Sequence, residues 1–174
     1  MKLLSCTLLV LLLADEPKAD SGFTLLFNGK DLAGWKQKGS KDSLAGKTEA
    51  HKGRFKVKDG ELVIDPSVKG DVRIETEREF AKDFIIKFEF KPDEKCNNDL
   101  FILDQKFDLS IQNVKNMKIG EWNPIEITMK DGKIEFRVNG DVVRTASPKK
   151  VEKSTLEIRA EFGAIQIRKF QYRN

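Results

Sequence analysis

Charged and polar side chains occupy alternate positions of several apolar segments, where they could perform acid–base chemistry. In the segment from Phe84 to Lys91, Lys87 and Glu89 stand at every second position. A carboxylate such as Glu89 can act as a general base, and a cation can stabilise a developing negative charge. The candidate site residues are Lys87, Glu89 and Asp108 for catalysis and Asn98, Ser110, Trp122, Arg159 and Glu161 for substrate binding, with Asp99 beside Asn98 at the rim. The same alternation is also typical of the solvent-facing residues of ordinary strands, so both interpretations remain open.

Metal and cofactor chemistry receives little support from the residue types. His51 is the only histidine, whereas transition-metal sites normally draw on several His or Cys ligands. The acidic runs at 93–94 and 97–99 could bind calcium, but they lack a recognised loop spacing. We therefore expect no cofactor and no metal, with a structural calcium ion as the remaining alternative.

Aromatic and thiol side chains offer two further candidates. Trp35 and Trp122 could stack against the apolar faces of sugar rings, or they could anchor the core of the domain. Cys96 lies outside any catalytic motif, and we expect it to be unreactive. Fingerprints of serine hydrolases, P-loops and dinucleotide-binding turns are absent from the sequence.

Short alternating segments separated by turn dipeptides indicate an all-β fold. Asp59-Gly60, Asp131-Gly132 and Asn139-Gly140 each stand between two alternating runs, which predicts tight hairpins. The last two turns predict a meander of three strands, at 125–130, 133–138 and 141–145. Further strands are expected at 54–58, 61–64, 71–76, 84–91, 100–103, 107–111, 156–159 and 164–173, and a loop at 37–52.

Alternation along these segments predicts how the strands pack. Phe84, Ile86, Phe88 and Phe90 should face a core, with charged residues on the opposite side. About ten short strands with no helix between them favour an antiparallel two-sheet sandwich of the jelly-roll type.

The N-terminus reads as an export signal. Met1 and Lys2 precede an apolar run from Leu3 to Ala14, which is typical of a signal peptide and too short to span a bilayer. We expect residues 1–20 to be removed after Ala14 or Ala19, leaving one domain at 21–174 that is periplasmic or extracellular. Anchoring as a lipoprotein at Cys6 is a less favoured alternative. Without Cys6, Cys96 would be the only thiol, so no intramolecular disulfide is expected.

The charge distribution argues against nucleic acid as a partner. The 174 residues include 32 basic and 28 acidic side chains, for a net charge of +4. The two signs are interleaved, and no basic, aromatic-rich run is present, so we expect a solvated surface and no nucleic-acid interface.

An ordered series of motifs resembles the 3-keto-disaccharide hydrolase domain family. Its opening signature corresponds to residues 22–35, GFTLLFNGKDLAGW. The further matches are FKVKDGEL at 55–62, DFIIKFEF at 83–90, GEWN at 120–123, VNG at 138–140 and IQIRKF at 165–170. The resemblance implies a concanavalin A-like sandwich and a carbohydrate as partner.

The resemblance also implies a reaction. A ketone at carbon 3 of a sugar acidifies the hydrogen on carbon 2, so the glycosidic bond can leave by elimination before water adds. This chemistry needs a base near carbon 2, an acid at the leaving oxygen and a group that stabilises the enolate. We therefore expect a secreted hydrolase of 3-keto-disaccharides or related glycosides.

Several positions depart from the family pattern. The segment NNDLFIL at 97–103 ends in Leu103 where the family has arginine. Asp108 and Ser110 align with a longer Glu and Gln, and the segment at 159–163 lacks the family's histidine. These changes favour two alternatives, a non-catalytic carbohydrate-binding sandwich and an envelope interaction module.

Overall fold

The computed structural model describes residues 17–81, 83–149 and 151–174. Most of the expected signal peptide, including Cys6, lies outside the described residues. In the described part of the chain, no helix has the length and apolarity needed to cross a membrane.

The described residues form two antiparallel sheets, as the sequence predicts. The larger sheet has the order β12-β11-β10-β7-β14-β5-β4-β3, with β1 also paired to β14. Its strands are β1 (Thr24–Leu25), β3 (Glu49–Ala50), β4 (Phe55–Lys58), β5 (Glu61–Ile64), β7 (Phe84–Pro92), β10 (Asn123–Lys130), β11 (Lys133–Val138), β12 (Asp141–Ala146) and β14 (Ile165–Arg173). The smaller sheet has the order β2-β6-β13-β8-β9. Its strands are β2 (Trp35–Gln37), β6 (Val72–Phe80), β8 (Asn97–Ile102), β9 (Gln105–Ser110) and β13 (Ser154–Phe162).

The three predicted hairpin turns are confirmed. Both residues of each dipeptide have positive φ, for example 52° at Asp59 and 79° at Gly60. This left-handed geometry matches the twist of the flanking strands, and Asp, Asn and Gly adopt it most readily. The turns fix the β4–β5 hairpin and the β10–β11–β12 meander.

The core lies between the two sheets and is rich in aromatic side chains. Strand β7 buries Phe84, Ile86, Phe88 and Phe90, as its alternation predicts. The ring of Phe88 lies 4.5 Å from that of Phe170 in β14, which ties two adjacent strands of the larger sheet together.

Trp35 is a core residue. Its ring is fully buried, contacts Phe170, and donates a hydrogen bond of 2.7 Å from Nε1 to the carbonyl of Leu26. Burial with its one polar group satisfied is the usual arrangement for a core tryptophan. Trp35 therefore anchors the N-terminal segment, and its ring has no face free for a sugar.

The smaller sheet is longer than the sequence pattern predicts. Strand β6 continues to Phe80, and β13 runs from Ser154 to Phe162. Strand β8 begins at Asn97 and ends before Leu103, whose φ is +49°. Asn98 lies in β8 at an inward-facing position, where alternation predicts an apolar residue. The sequence pattern therefore predicted that this strand begins only at Leu100.

Candidate functional site

The predicted site residues lie on two different sheets. Lys87 and Glu89 belong to β7 of the nine-stranded sheet, whereas Asp108 is in β9 and Arg159 in β13 of the five-stranded sheet. Alternation turns all four away from the core, and therefore toward opposite outer faces of the sandwich. The structure does not bring Lys87 and Glu89 together with Asp108 and Arg159.

On the outer face of the five-stranded sheet, the strand register aligns a row of charged residues. Arg159 of β13 lies opposite Arg73 of β6 on one side and opposite Asp99 of β8 on the other. Asp99 in turn lies opposite Asp108 of β9. Residues directly opposite on antiparallel strands have neighbouring side chains, so this row concentrates two carboxylates and two guanidinium groups.

Asp99 and Asp108 form a coupled carboxyl pair. Asp99 is fully buried, and this burial, with a hydrogen bond shared with Asp108, raises the pKa of Asp99 to about 6. The same hydrogen bond lowers the pKa of Asp108, which burial opposes. Two neighbouring carboxylates cannot both ionise freely, so one of them holds a proton more tightly.

The hydrogen-bond pattern agrees with a shared proton. Asp99 Oδ1 is buried and accepts no hydrogen bond from the described residues, although Lys106 Nζ lies 3.3 Å away. A proton between Asp99 and Asp108 would satisfy this oxygen.

Lys106 is the cation nearest to the carboxyl pair. Its Nζ lies 2.6 Å from Asp108 Oδ1. The hydrogen bond to Asp108 raises the pKa of Lys106, against the effect of burial. Lys106 therefore stays charged and holds Asp108 in its ionised form.

Arg159 connects this pair to two further carboxylates. It donates from Nε and Nη2 to both oxygens of Asp71 and from Nη1 to Asp99 Oδ2 at 2.9 Å. Nη1 also lies 3.0 Å from Glu161 Oε2. The two bonds to Asp71 raise the pKa of Arg159, and they lower the pKa of Asp71. All three guanidinium nitrogens are thus engaged by carboxylates.

The next row of the same face is a second ion-pair network. Glu75 of β6 and Glu157 of β13 lie opposite each other, and Lys38 Nζ bridges them at 2.9 and 2.6 Å. Arg73 contacts Glu157 at 3.1 Å, and its guanidinium lies 4.1 Å from the centre of the Phe101 ring. This row therefore holds the sheet together beside the carboxyl pair.

Asn98 points into the protein and has a structural role. It is fully buried, accepts a hydrogen bond from the Glu161 amide and donates to the carbonyl of Phe162. These bonds join β8 to β13 where their register shifts. Asn98 was predicted to bind substrate at the rim; its burial places it away from any ligand on the outer face.

Ser110 and Glu161 lie toward the ends of their strands. Ser110 is nearly buried, and its hydroxyl accepts a hydrogen bond of 2.9 Å from Asn113. Glu161 is half-buried on the outer face, where its carboxylate forms an ion pair with the Arg159 guanidinium. Glu161 thus belongs to the cluster, whereas Ser110 closes a turn at the end of β9.

Lys87 and Glu89 are held in ion pairs on the nine-stranded sheet. Glu89 accepts hydrogen bonds from Arg168 at 2.6 Å and Lys169 at 2.8 Å. Burial acts to raise the pKa of Glu89, but the bonds from Lys169 and Arg168 outweigh it, so the pKa lies below its usual value. Lys87 Nζ lies 3.1 Å from Glu126. Both residues are therefore engaged by partners on this face.

Trp122 lies beside the same face, half-buried beneath a cation. The Arg168 guanidinium sits 3.9 Å from the centre of its ring, and Lys91 Nζ lies 6.0 Å away. This cation–π contact occupies one face of the ring, which is then not free to stack on a sugar.

His51 and Cys96 make structural contacts. His51 Nε2 lies 2.9 Å from the carbonyl oxygen of Arg73. Burial raises the pKa of the Cys96 thiol to about 11, and the thiol donates to the carbonyl of Leu109 at 3.2 Å. Within the described ranges, no group of three or more His, Cys, Asp or Glu side chains is placed to hold a metal ion.

The sequence contains a signal that predicts the carboxyl pair. Leu100 and Ile102 alternate with Asp99 and Phe101, which places Asp99 on an outer face. Lys106 and Asp108 show the same alternation in β9. The pairing of β8 with β9 around the turn at 103–104 then makes Asp99 and Asp108 neighbours, but β8 was predicted to begin only at Leu100.

This arrangement suits proton transfer. Asp108 is half-buried, ionised and accessible, Asp99 behind it binds a proton below about pH 6, and Lys106 supplies positive charge beside it. Paired carboxyls with separated pKa values are a common acid–base device.

Comparisons with known proteins identify the fold and a family. Residues 22–116, more than half of the chain, match the profile of the 3-keto-alpha-glucoside-1,2-lyase-like domain. A search of curated protein sequences found no match.

Solved structures with the same sandwich include proteins of carbohydrate metabolism. A candidate glycosyl hydrolase from Parabacteroides distasonis ATCC 8503 superimposes with a TM-score of 0.70 at 17% identity, over 91% of this chain and 99% of that chain. The carbohydrate binding module CBM66 from Bacillus subtilis gives 0.55 at 8% identity, over 82% and 97%. A beta-1,3-glucanase from Mycobacterium marinum gives 0.54 at 8% identity, over 86% and 96%. At these identities the likeness establishes the fold alone.

Proposed function

Because the chain belongs to the 3-keto-alpha-glucoside-1,2-lyase-like domain family, we propose that it cleaves 3-keto-glycosides by elimination on the outer face of its five-stranded sheet. The observation that carries the proposal is the coupled carboxyl pair of Asp99 and Asp108. A ketone at carbon 3 makes the hydrogen on carbon 2 acidic, so a carboxylate is a sufficient base.

Asp108 is the proposed base. Its lowered pKa keeps it ionised at neutral pH, and its side chain is accessible, whereas Asp99 is fully buried. Asp108 removes the proton from carbon 2, and the electron pair forms an enolate on the ketone oxygen. Lys106, 2.6 Å from Asp108, is placed to stabilise that negative charge.

The leaving group departs in the second step. The enolate electrons form the double bond between carbons 1 and 2 while the bond from carbon 1 to the glycosidic oxygen breaks. The proton held by Asp108 passes to that oxygen, which leaves as an alcohol, and the sugar is released as an enone. Addition of water to the enone would complete the hydrolase reaction that the sequence resemblance implies.

Asp99 and Arg159 act as positioning residues in this proposal. Asp99 lies directly opposite Asp108 and is itself fixed by the 2.9 Å hydrogen bond from Arg159. The signal-like N-terminus supports the further proposal that the reaction takes place outside the cytoplasm.

The test uses p-nitrophenyl 3-keto-α-glucoside, whose cleavage releases a coloured phenol. We expect release by the wild-type protein and a fall in kcat of about 100-fold or more for Asp108→Asn, because the general base is lost. Glu89→Gln is the decisive control, since it removes the other candidate base on the opposite face. Glu135→Gln, which breaks a similar ion pair with Arg137, controls for loss of surface charge.

Two results would contradict the proposal. Activity lost in Glu89→Gln and retained in Asp108→Asn would move the site to the nine-stranded sheet. Absence of any phenol release above the Asp108→Asn background would exclude the lyase.

A second candidate function is carbohydrate binding without catalysis. It is favoured by the engagement of all three Arg159 nitrogens with carboxylates, because a guanidinium neutralised in this way gives an enolate little stabilisation, and binding without catalysis needs none. Saturable binding of an unoxidised methyl glucoside, combined with no cleavage of the 3-keto substrate, would support this second function.

A further inference from the structure

A cleft adjoins the carboxyl cluster at one end of the five-stranded sheet. Its volume is about 430 Å³, and its walls include Arg54, Lys69, Asp71, Glu161 and Phe162. Asp71 and Glu161 are the two residues through which it borders the cluster, because both contact Arg159. The cleft is large enough to admit a single sugar ring.

A buried cation that has no ion-pair partner in the described part of the chain lies in this wall. Arg54 is only 3% exposed and donates to the main-chain carbonyls of Asp65 and Glu161. Its Nε donates to no acceptor among the described residues. The carboxylate of Asp65 attracts it from a distance but is itself bound to Lys56 at 2.5 Å. The positive charge of Arg54 is therefore compensated only from a distance.

The cleft is also lined by an exposed aromatic ring, that of Phe162. Phe162 is 60% exposed, more than any other large apolar side chain in the described ranges. It stands at the end of β13, where the register with β8 shifts. An exposed aromatic face can pack against the apolar face of a pyranose ring, which would remove this ring from water.

The four charged residues that line the cleft balance in formal charge. Arg54 and Lys69 carry two positive charges, and Asp71 and Glu161 carry two negative charges. Both carboxylates are held by Arg159 from the side of the carboxyl cluster, which partly neutralises them. Arg54 and the exposed Lys69 are therefore the cations left to attract an anion, and Lys69 is the one that a ligand could reach directly.

We infer that this cleft binds a sugar ring that carries one anionic substituent, a carboxylate or a sulfate. The ring packs on Phe162, Lys69 contacts the anion, and Arg54 supplies a fixed positive field. The inference rests on the proposed function in taking the ligand to be a saccharide, and it adds a subsite that selects acidic sugars next to the carboxyl cluster.

The test measures binding of three unoxidised ligands by NMR titration: methyl α-glucuronoside, methyl α-glucoside 6-sulfate and methyl α-glucoside. We expect at least one anionic ligand to bind at least about tenfold more tightly than the neutral glucoside, and its affinity to fall with added salt. Phe162→Ala should abolish binding, and Lys69→Ala should weaken the anionic ligand alone. The exposed Lys130→Ala and Val142→Ala variants, on other surfaces, should bind as wild type does. Both test variants change surface side chains, so the inference does not depend on whether an Arg54 variant folds.

Equal affinity for charged and neutral ligands, or unchanged binding in Phe162→Ala, would overturn the subsite. Failure of the subsite and failure of the lyase are distinguishable, because the titration uses ligands without a ketone. Cleavage of the 3-keto substrate without anion preference would overturn only the subsite, and anion-selective binding without cleavage would overturn only the lyase.

Discussion

Asp99 combines full burial with a carboxyl group whose charge is only partly compensated. Arg159 and Lys106 act to lower its pKa, yet burial and the neighbouring Asp108 prevail and raise the pKa to about 6. An unfolded aspartate has a pKa of about 3.9. The folded state therefore binds the Asp99 proton more tightly than the unfolded state does.

This difference predicts a pH dependence of stability. Because the pKa of Asp99 is raised on folding, its contribution is fully present below the unfolded pKa and is lost as pH rises through about 6. Between pH 5 and 7.5 the wild type should lose about 1 kcal/mol relative to Asp99→Asn, which does not titrate. Urea unfolding of both proteins at the two pH values measures this. A stability difference that is the same at both would show that Asp99 is not the titrating group.

At the scale of elements, the turn between β13 and β14 depends on a single glycine. Gly163 has φ of +70°, and a Cβ there would lie 2.5 Å from the backbone at Lys95 and Cys96. The segments at 93–96 and 161–164 are therefore in close main-chain contact, supported by the 2.8 Å bond from the Ala164 amide to Asp93.

Gly163→Ala should destabilise the protein by about 2 kcal/mol or more, from backbone strain and the clash combined. Gly120→Ala is a matched control, because Gly120 has φ of +71° but open space around its Cβ position. The two variants share the strain, so the additional loss in Gly163→Ala measures the clash. Thermal unfolding compares them, and equal losses would contradict the predicted close contact.

Elements were predictable from the sequence where local chemistry decides them. The Asp-Gly and Asn-Gly hairpins and the alternation of β7 and β11 are encoded within about ten residues each, and all are confirmed. The start of β8 was not predicted because the buried amide of Asn98 forms its hydrogen bonds with β13, more than sixty residues away. Local sequence gives no sign of these bonds. The predicted site residues lie on two different sheets for a similar reason. Alternation predicts that Glu89 and Asp108 face outward, but the sheet to which each strand belongs depends on distant pairings.

For the whole molecule, stability comes from one continuous core between the sheets. Cys96 belongs to that core, and burial raises the pKa of its thiol to about 11. Two barriers therefore protect it, exclusion from solvent and the small fraction of thiolate.

We predict that iodoacetamide at pH 8 leaves Cys96 unmodified in the folded protein and modifies it fully in urea. Peptide mass spectrometry reads the modification at this residue separately from any other thiol. Leu109→Ala, which removes core packing from the residue whose carbonyl accepts the thiol bond, should accelerate labelling through local opening. Rapid labelling of the native wild type would contradict the packing described for β8 and β9.

The central positions of β13 and β14 have a consequence for how the chain acquires its structure. Strand β14 pairs with β1, β5 and β7, and β13 lies between β6 and β8. Both sheets thus depend on the twenty residues from 154 to 173. In a nascent chain that lacks these strands, each sheet remains in separate parts. We therefore expect folding to begin only after β13 and β14 have been synthesised and to be slow, as it is for topologies dominated by distant pairings.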